Sequence, residues 1–225
     1  MVTLMKSGTL FVVATPIGNL EDISSRAIKT LKEVDLVAAE DTRRASILFK
    51  ANDISPKVTS YHSHNLKRKT PSLIKELKGG VSIAVISDSG TPGISDPGSV
   101  LVAECVKNDI DITTIPGPAA LISALVLSGK PTNKFVFEGF LSNKKARRRR
   151  QLKDLAAEKR TVIVYESPHR ILKFLADFNE IFGDKEIIVA REITKKFEQV
   201  LRGNAASHIQ HFTEHKPRGE FVLVF

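Results

Sequence analysis

The chain has 225 residues, 42% of them hydrophobic, and carries a formal net charge of +9. This composition excludes a disordered chain, no apolar run reaches the roughly 18 residues of a membrane helix, and residues 1–8 hold no signal-peptide core. The single Cys105 excludes an internal disulfide, so we expect a cytoplasmic globular protein away from membranes, with a polyanionic partner, nucleic acid first.

Short apolar runs alternate with helical patterns, which predicts an α/β fold. The helical patterns of the first half begin at Ser24 as an N-cap, after Asp41, at Pro71 and at Pro97. The predicted strands of the first half are Thr9–Ala14, Leu36–Ala39, Val58–Tyr61, Val81–Ile86 and Ile112–Ile115.

The turn-rich segment Gly129–Asn133 follows a predicted helix at Ala119–Ser128, and we expect a domain boundary between about Gly117 and Asn133. The predicted domains are residues 1–117 and 118–225. Further helices are predicted at Ala146–Ala157 and Ile171–Ile181. The predicted strands of the second half are Phe135–Phe140, Thr161–Tyr165, Glu186–Ala190, Gln199–Leu201 and Phe221–Phe225.

Three loops rich in glycine and proline follow predicted strands: Thr15–Asn19, Ser87–Gly98 and Pro116–Ala120. Open α/β sheets bind ligands at the carboxyl ends of their strands, and glycine lets the backbone approach a ligand closely. Each loop could be only a structural turn, but together they favour one shared pocket. The chain lacks the P-loop, the G-x-G-x-x-G dinucleotide fingerprint and the G-x-S-x-G elbow. These absences exclude P-loop NTPases and the common forms of dinucleotide-binding enzymes and α/β-hydrolases.

The segment Lys144–Arg150 is the densest charge cluster, with six basic residues among seven. Arginine grips phosphates in a bidentate manner, so the cluster favours RNA or DNA, and the alternative is a solvated helix start. The histidines at 208, 211 and 215 could share a helix face, as a zinc site or as surface and capping residues, and we predict no metal. Cys105 is expected to be a core thiol.

Polar residues at three strand ends supply candidates for acid–base chemistry. Asp41, Glu166 and Glu192 could act as a general base, whereas Arg43 and Lys195 could orient a phosphate or favour an alkoxide. Asp41 is equally credible as a helix N-cap, and Glu166 as a charge that suits the start of a helix.

Eight segments together resemble the tetrapyrrole methylase superfamily and, within it, its ribosomal RNA methyltransferases. They are LFVVATPIGNLEDIS (10–24), AAEDTRR (38–44), SDSGTPGISDPG (87–98), IPGPAA (115–120), FEGFL (137–141), VYESPHR (164–170), AREITKKFE (190–198) and GEFVLV (219–224). The first loop reads ATPIGN where porphyrin-ring methylases usually carry a G-x-G-P-G type loop, which argues against a tetrapyrrole substrate.

The resemblance implies a two-domain tetrapyrrole methylase-like fold with S-adenosylmethionine in a cleft between the domains, and a homodimer. The implied reaction is 2′-O-methylation of a cytidine ribose in the decoding region of bacterial 16S rRNA, free or in the small ribosomal subunit. The implied cofactor contacts are Ile17, Asp88, Ser89, Gly90, Thr91, Ile94, Ala119, Ala120, Tyr165 and Glu166. The expected RNA contacts are Arg44, Lys144, Lys145, Arg147, Arg148, Arg149 and Arg150.

Three rival functions stay open from the residues alone. The first is a methyltransferase acting on a small ring substrate, against which the basic cluster argues. The second is a non-catalytic RNA-binding protein, which would not need three pocket loops. The third is a hydrolase or nucleotide-binding enzyme, for which the sequence offers no positive feature.

Overall fold

The computed structural model describes residues 7–225, in which strands and helices alternate, so the predicted α/β class is confirmed. The strands are β1 (Leu10–Val13), β2 (Leu36–Ala39), β3 (Val58–Ser60), β4 (Ile83–Ile86), β5 (Ile112–Ile115), β6 (Phe135–Phe140), β7 (Thr161–Glu166), β8 (Glu186–Arg191), β9 (Gln199–Asn204) and β10 (Phe221–Val224). The helices are α1 (Ser25–Glu33), α2 (Thr42–Ala51), α3 (Leu66–Lys78), α4 (Gly98–Lys107), α5 (Ala120–Ser128), α6 (Lys145–Ala156), α7 (Ile171–Phe182) and α8 (Ala205–Glu214).

The chain divides into two compact units, one ending at Ala119 and the other beginning at Ala120. The first unit holds a five-stranded sheet in the order β3-β2-β4-β1-β5, in which neighbouring strands run parallel. Alternate residues of β4 point to opposite faces, so Ile83 and Val85 pack with α3 and α4 while Ala84 and Ile86 pack with α1 and α2. The carboxyl ends of the parallel strands therefore meet at one edge.

The second unit holds a mixed five-stranded sheet in the order β6-β7-β10-β8-β9. Within this sheet, β6 and β7 pair in parallel, whereas β10 pairs antiparallel with β7 and β8, and β8 pairs antiparallel with β9. Phe174 and Phe178 of α7 and Phe212 of α8 pack on Phe221 and Phe225 to form its core. None of the helices within residues 7–225 combines the length and apolar character that crossing a membrane requires.

The prediction that Pro71 opens a helix is wrong, because α3 begins at Leu66 and contains Pro71. Contacts with the segment that precedes the helix hold the turn ahead of the proline: the Tyr61 and Thr70 hydroxyls lie 2.9 Å apart in the core, and the Lys69 ammonium donates to Thr59 Oγ1 at 2.6 Å. These contacts offset the hydrogen bond that proline cannot donate inside a helix. Ser24 caps α1 as predicted, accepting from the Ala27 N–H at 3.1 Å.

Candidate functional site

Three loops of the first unit are tied together at the carboxyl edge of its sheet. After β1 and β4, Thr15 and Gly90 exchange backbone hydrogen bonds of 2.9 and 3.0 Å. The Thr15 hydroxyl donates to the Ser87 carbonyl at 3.2 Å, and the Thr91 hydroxyl donates to the Pro118 carbonyl at 3.3 Å. The segments 15–19, 87–98 and 116–119 are thus mutually braced.

Glycine allows this close approach at two positions. Gly90 has φ of +79°, and a Cβ there would lie 3.3 Å from Ile17 Cγ2 and 3.6 Å from the Pro118 carbonyl oxygen. A Cβ on Gly117 would lie 3.0 Å from the Ala14 Cβ. Any larger side chain would therefore push the loops apart or strain the backbone.

Beside these loops lies a pocket of about 170 Å³, lined in part by Thr15, Glu40, Asp41, Arg44 and Asp88. Asp88 organises its polar wall: its N–H donates to Glu40 Oε2 at 3.2 Å, and its carboxylate accepts from the Asp41 N–H at 2.9 Å. Arg44, expected to contact RNA, pairs with Asp88 at 3.3 Å while 60% of its side chain stays exposed.

Glu40 and Asp41 are neighbours in sequence, and their pKa values are shifted in opposite directions. Burial raises the pKa of Glu40; the Asp88 N–H lowers it and the Asp88 charge raises it again. By contrast, hydrogen bonds from the side chain and backbone of Arg43 hold the pKa of Asp41 well below its usual range. Asp41 also caps α2, so the N-cap alternative describes it and its pairing with Arg43 makes it a weak base.

Glu166, in the second unit, is enclosed and paired. Its side chain is 0% exposed, accepts from the Ser167 N–H at 2.8 Å, and lies 3.0 Å from the Arg170 guanidinium. The pKa of Glu166 is raised, because burial outweighs the lowering effects of the Ser167 N–H and Arg170. The preceding Tyr165 packs edge-on against Phe137 and Phe140, with ring centroids 4.9 and 5.6 Å apart.

The other predicted acid–base residues form an ion cluster. The Lys195 ammonium lies 2.9 Å from both Glu192 Oε1 and Glu220 Oε2. Burial by itself lowers the pKa of Lys195, but these two carboxylates outweigh it and raise the pKa. Glu192 has φ of +50°, an uncommon conformation for a residue with a side chain, and the cluster holds it in place.

The structure corrects part of the predicted RNA surface. Arg148 is only 4% exposed, and its Nε and Nη2 donate to Asp177 Oδ2 at 2.8 and 2.6 Å. Its charge is therefore paired with a carboxylate inside the second unit. Arg149 bridges Asp177, at 3.3 Å, and Glu180. The side chains that remain exposed, with no partner within the described part of the chain, are Lys144, Lys145, Arg147 and Arg150.

The histidines do not gather into a metal site. His208 is buried with Nε2 2.8 Å from the Ile187 carbonyl, while His211 and His215 stack on each other at 4.8 Å. No three metal-ligating side chains cluster anywhere in residues 7–225. Cys105 is 0% exposed within the core, as expected.

Sequence reasoning singled out Asp41 and missed Glu40, which directly follows β2 and lines the pocket. The rule that drew attention to Glu166, a carboxylate at a strand end, applies equally to Glu40. Asp177 was also missed; its position between Phe174 and Phe178 on α7 places it on the face that packs inward.

Known proteins match this chain over most of its length. The sequence model of the family described as tetrapyrrole (corrin/porphyrin) methylases matches residues 9–208. A Synechocystis protein named ribosomal RNA small subunit methyltransferase I is 50% identical over 96% of this chain and 78% of its own length. A Thermotoga maritima protein of the same name is 48% identical over 96% of this chain and 97% of its own.

Solved structures share the fold at much lower identity. A diphthine synthase superimposes with a TM-score of 0.77 at 13% identity, over 97% of this chain and 89% of its own. A uroporphyrin-III C-methyltransferase from Thermus thermophilus, solved with S-adenosylhomocysteine, gives a TM-score of 0.66 at 13% identity, over 96% of each chain.

Proposed function

Because this chain belongs to the tetrapyrrole methylase family, and within it to the group named ribosomal RNA small subunit methyltransferase I, we propose that it methylates small-subunit ribosomal RNA with S-adenosylmethionine. The acceptor is the 2′-oxygen of a cytidine ribose in the decoding region of 16S rRNA. The observation that carries the proposal is the identity of about half the residues to relatives of that name over 96% of the chain.

The braced loops of the first unit fit the cofactor. Gly90 and Gly117 let the three loops pack closely against one another, and carboxylates from Glu40 and Asp88 line a nearby pocket, which suits the cationic sulfonium and amino groups. When bound, S-adenosylmethionine supplies a methyl group already activated by positive sulfur. The residues we propose to hold it in the first unit are Ile17, Asp88, Ser89, Gly90, Thr91, Ile94 and Ala119. In the second unit, Ala120, Tyr165 and Glu166 stay proposed contacts.

Glu40 is the best proton acceptor for the ribose hydroxyl among the carboxylates considered. The ribose hydroxyl must lose its proton when its oxygen is methylated, and a carboxylate with a raised pKa would take that proton more readily. Glu40 and Glu166 both have a raised pKa, but Glu40 lines the pocket whereas Glu166 is fully buried and paired with Arg170. Asp41 is tied to Arg43, which lowers its pKa. Glu192 is held by Lys195, which leaves its predicted role unsupported by geometry.

The proposed RNA-binding surface is the exposed face of α6 together with its N-cap residue, Lys144. Lys144, Lys145, Arg147 and Arg150 face solvent, so each can meet a phosphate without breaking an internal pair. Arg44 retains an exposed guanidinium beside the pocket and could meet a phosphate near the target ribose. The family resemblance also supports a homodimer, which sedimentation equilibrium would test.

The deciding experiment is methyl transfer from labelled S-adenosylmethionine to small ribosomal subunits that lack their own modifications. Free 16S rRNA and a porphyrin precursor run in parallel. We expect label in one ribose 2′-O-methylcytidine of the rRNA and none in the porphyrin. Label in a base, or in the porphyrin alone, would contradict the proposal, as would failure to bind the cofactor.

A further inference from the structure

A second pocket, outside the loops described above, lies in the second unit. Its volume is about 680 Å³, within the roughly 300–1,000 Å³ range of ligand sites. Its apolar wall includes Leu172 and Phe212, and its rim carries His169, Lys216 and Arg218. No acidic residue is among the described residues that line it.

The Lys216 and Arg218 cations and the His169 ring are all free to contact a ligand. Each is exposed, and none forms an ion pair or hydrogen bond within residues 7–225. His169 and Leu172 also place the amino-terminal turn of α7 at the pocket, and no side chain caps that helix. Helix amino termini attract anions, so the charges and the helix favour the same kind of ligand.

The loop that carries Lys216 and Arg218 is anchored at its carboxyl end, at Gly219 and Glu220. Glu192 and Glu220 exchange two hydrogen bonds, of 3.1 Å between their backbones and 3.2 Å from the Glu220 N–H to the Glu192 carboxylate. Gly219 has φ of +83°, and a Cβ there would lie 2.2 Å from Glu192 Oε1. The Glu192–Lys195–Glu220 cluster is thus packed against the loop, which lowers the entropy that binding would cost.

We propose that this pocket, defined by His169, Lys216 and Arg218, binds the phosphodiester backbone of the RNA substrate. The inference rests on the proposed function and adds a contact region to it beyond the α6 face. Unpaired cations, a helix amino terminus and the absence of acidic lining residues together select a polyanion. The proposal also gives Glu192 and Lys195 a positioning role, since they hold the loop, in place of the acid–base role first expected.

The test compares two variants that each remove two exposed positive charges. Lys216→Ala with Arg218→Ala removes the lysine and arginine charges of the rim. The control, Lys134→Ala with Lys159→Ala, removes cations ahead of β6 and β7, away from the end of β7 that leads to His169. Binding to protein-free 16S rRNA and to small subunits is measured over a range of salt. Cofactor binding by calorimetry and the urea midpoint verify that both variants fold.

The rim variant is expected to bind rRNA about tenfold more weakly at low salt, since an exposed ion pair contributes up to about fivefold. Its log affinity against log salt should lose about 0.7 in slope per phosphate contact, about 1.4 for two. The control should match the wild type in cofactor binding and exceed the rim variant in rRNA affinity and salt slope.

Three outcomes overturn the proposal. If the rim and control variants bind rRNA equally while the wild type binds and methylates it, the pocket assignment is wrong and the proposed function stands. If the rim variant weakens binding only to intact subunits, the pocket meets a ribosomal protein and not RNA. If the wild type itself neither binds nor methylates RNA, the proposed function and the pocket assignment fail together.

Discussion

The pairing of Arg148 with Asp177 allows a sharp separation of structural from RNA-binding arginines. Both side chains are nearly enclosed, with 4% and 3% exposure, and two hydrogen bonds of 2.6 and 2.8 Å join them. Removing one partner of a buried ion pair leaves an uncompensated charge and costs about 3–5 kcal/mol. Asp177→Ala should therefore lower the free energy of unfolding by that amount, a large share of a typical total of about 5–15 kcal/mol.

The matched comparison is Arg147→Met, which removes an exposed guanidinium from the neighbouring position. It should change the free energy of unfolding by no more than about 0.5 kcal/mol while weakening rRNA binding. Arg148→Met with Asp177→Leu removes both buried charges and should recover most of the stability lost in Asp177→Ala, because no unpaired charge remains. Urea unfolding followed by circular dichroism gives the stabilities, and salt titration of rRNA binding gives the affinities.

Equal stabilities for Asp177→Ala and Arg147→Met would refute the reasoning, since a charge that is not buried costs nothing when its partner is lost. The same conclusion would follow if the double substitution lost as much rRNA affinity as Arg147→Met with its fold intact. Arg148 would then act on RNA, as the sequence first suggested.

Three further predictions concern the first unit. Glu40→Gln should slow methyl transfer at least about 100-fold, and the wild-type rate should fall with acid at a pH above the ordinary carboxyl value because burial raises the Glu40 pKa. Because the pKa of Glu40 is raised in the folded protein, its ionisation lowers the stability of the fold as pH rises. At neutral pH the free energy of unfolding of Glu40→Gln should therefore equal or exceed that of the wild type. A variant that is less stable and fully active would contradict both the burial and the catalytic role of Glu40. Gly90→Ala should cost about 1–3 kcal/mol and weaken cofactor binding measured by calorimetry, whereas Gly183→Ala, also at positive φ but with nothing within 4 Å, should leave cofactor binding unchanged. Burial raises the pKa of Cys105 to about 11, so its thiol should react with iodoacetamide only as urea unfolds the chain, and rapid labelling of the folded protein would show that the core is more open than its packing indicates.

The existence and type of nearly every element followed from the sequence. The bounds of β2, β5 and β6 agree with the predicted Leu36–Ala39, Ile112–Ile115 and Phe135–Phe140, because an apolar run between turn residues is a local signal. The start of α3 did not follow, since contacts from Tyr61 and Thr59 hold the turn before Pro71. Such contacts join residues whose proximity no local pattern records.

For the site, the sequence identified the three loops but not how they meet. Glycine and proline after three of the strands predicted ligand loops, and the braces from Thr15 to Gly90 and from Thr91 to Pro118 appear only once β1, β4 and β5 are neighbours. What the two units contribute to a shared site stays a prediction.

The run of four arginines shows most clearly what each level decides. The sequence determines that these residues are helical and basic, and from it all four were predicted to contact RNA. In the structure Arg148 lies with Leu152 and Leu155 among the buried residues of α6. Only the tertiary structure supplies Asp177, 29 residues away on α7, and so makes Arg148 an internal partner while Arg147 and Arg150 face solvent. Helical periodicity is a property of neighbouring residues, whereas the partner of a buried charge is fixed by how distant helices pack.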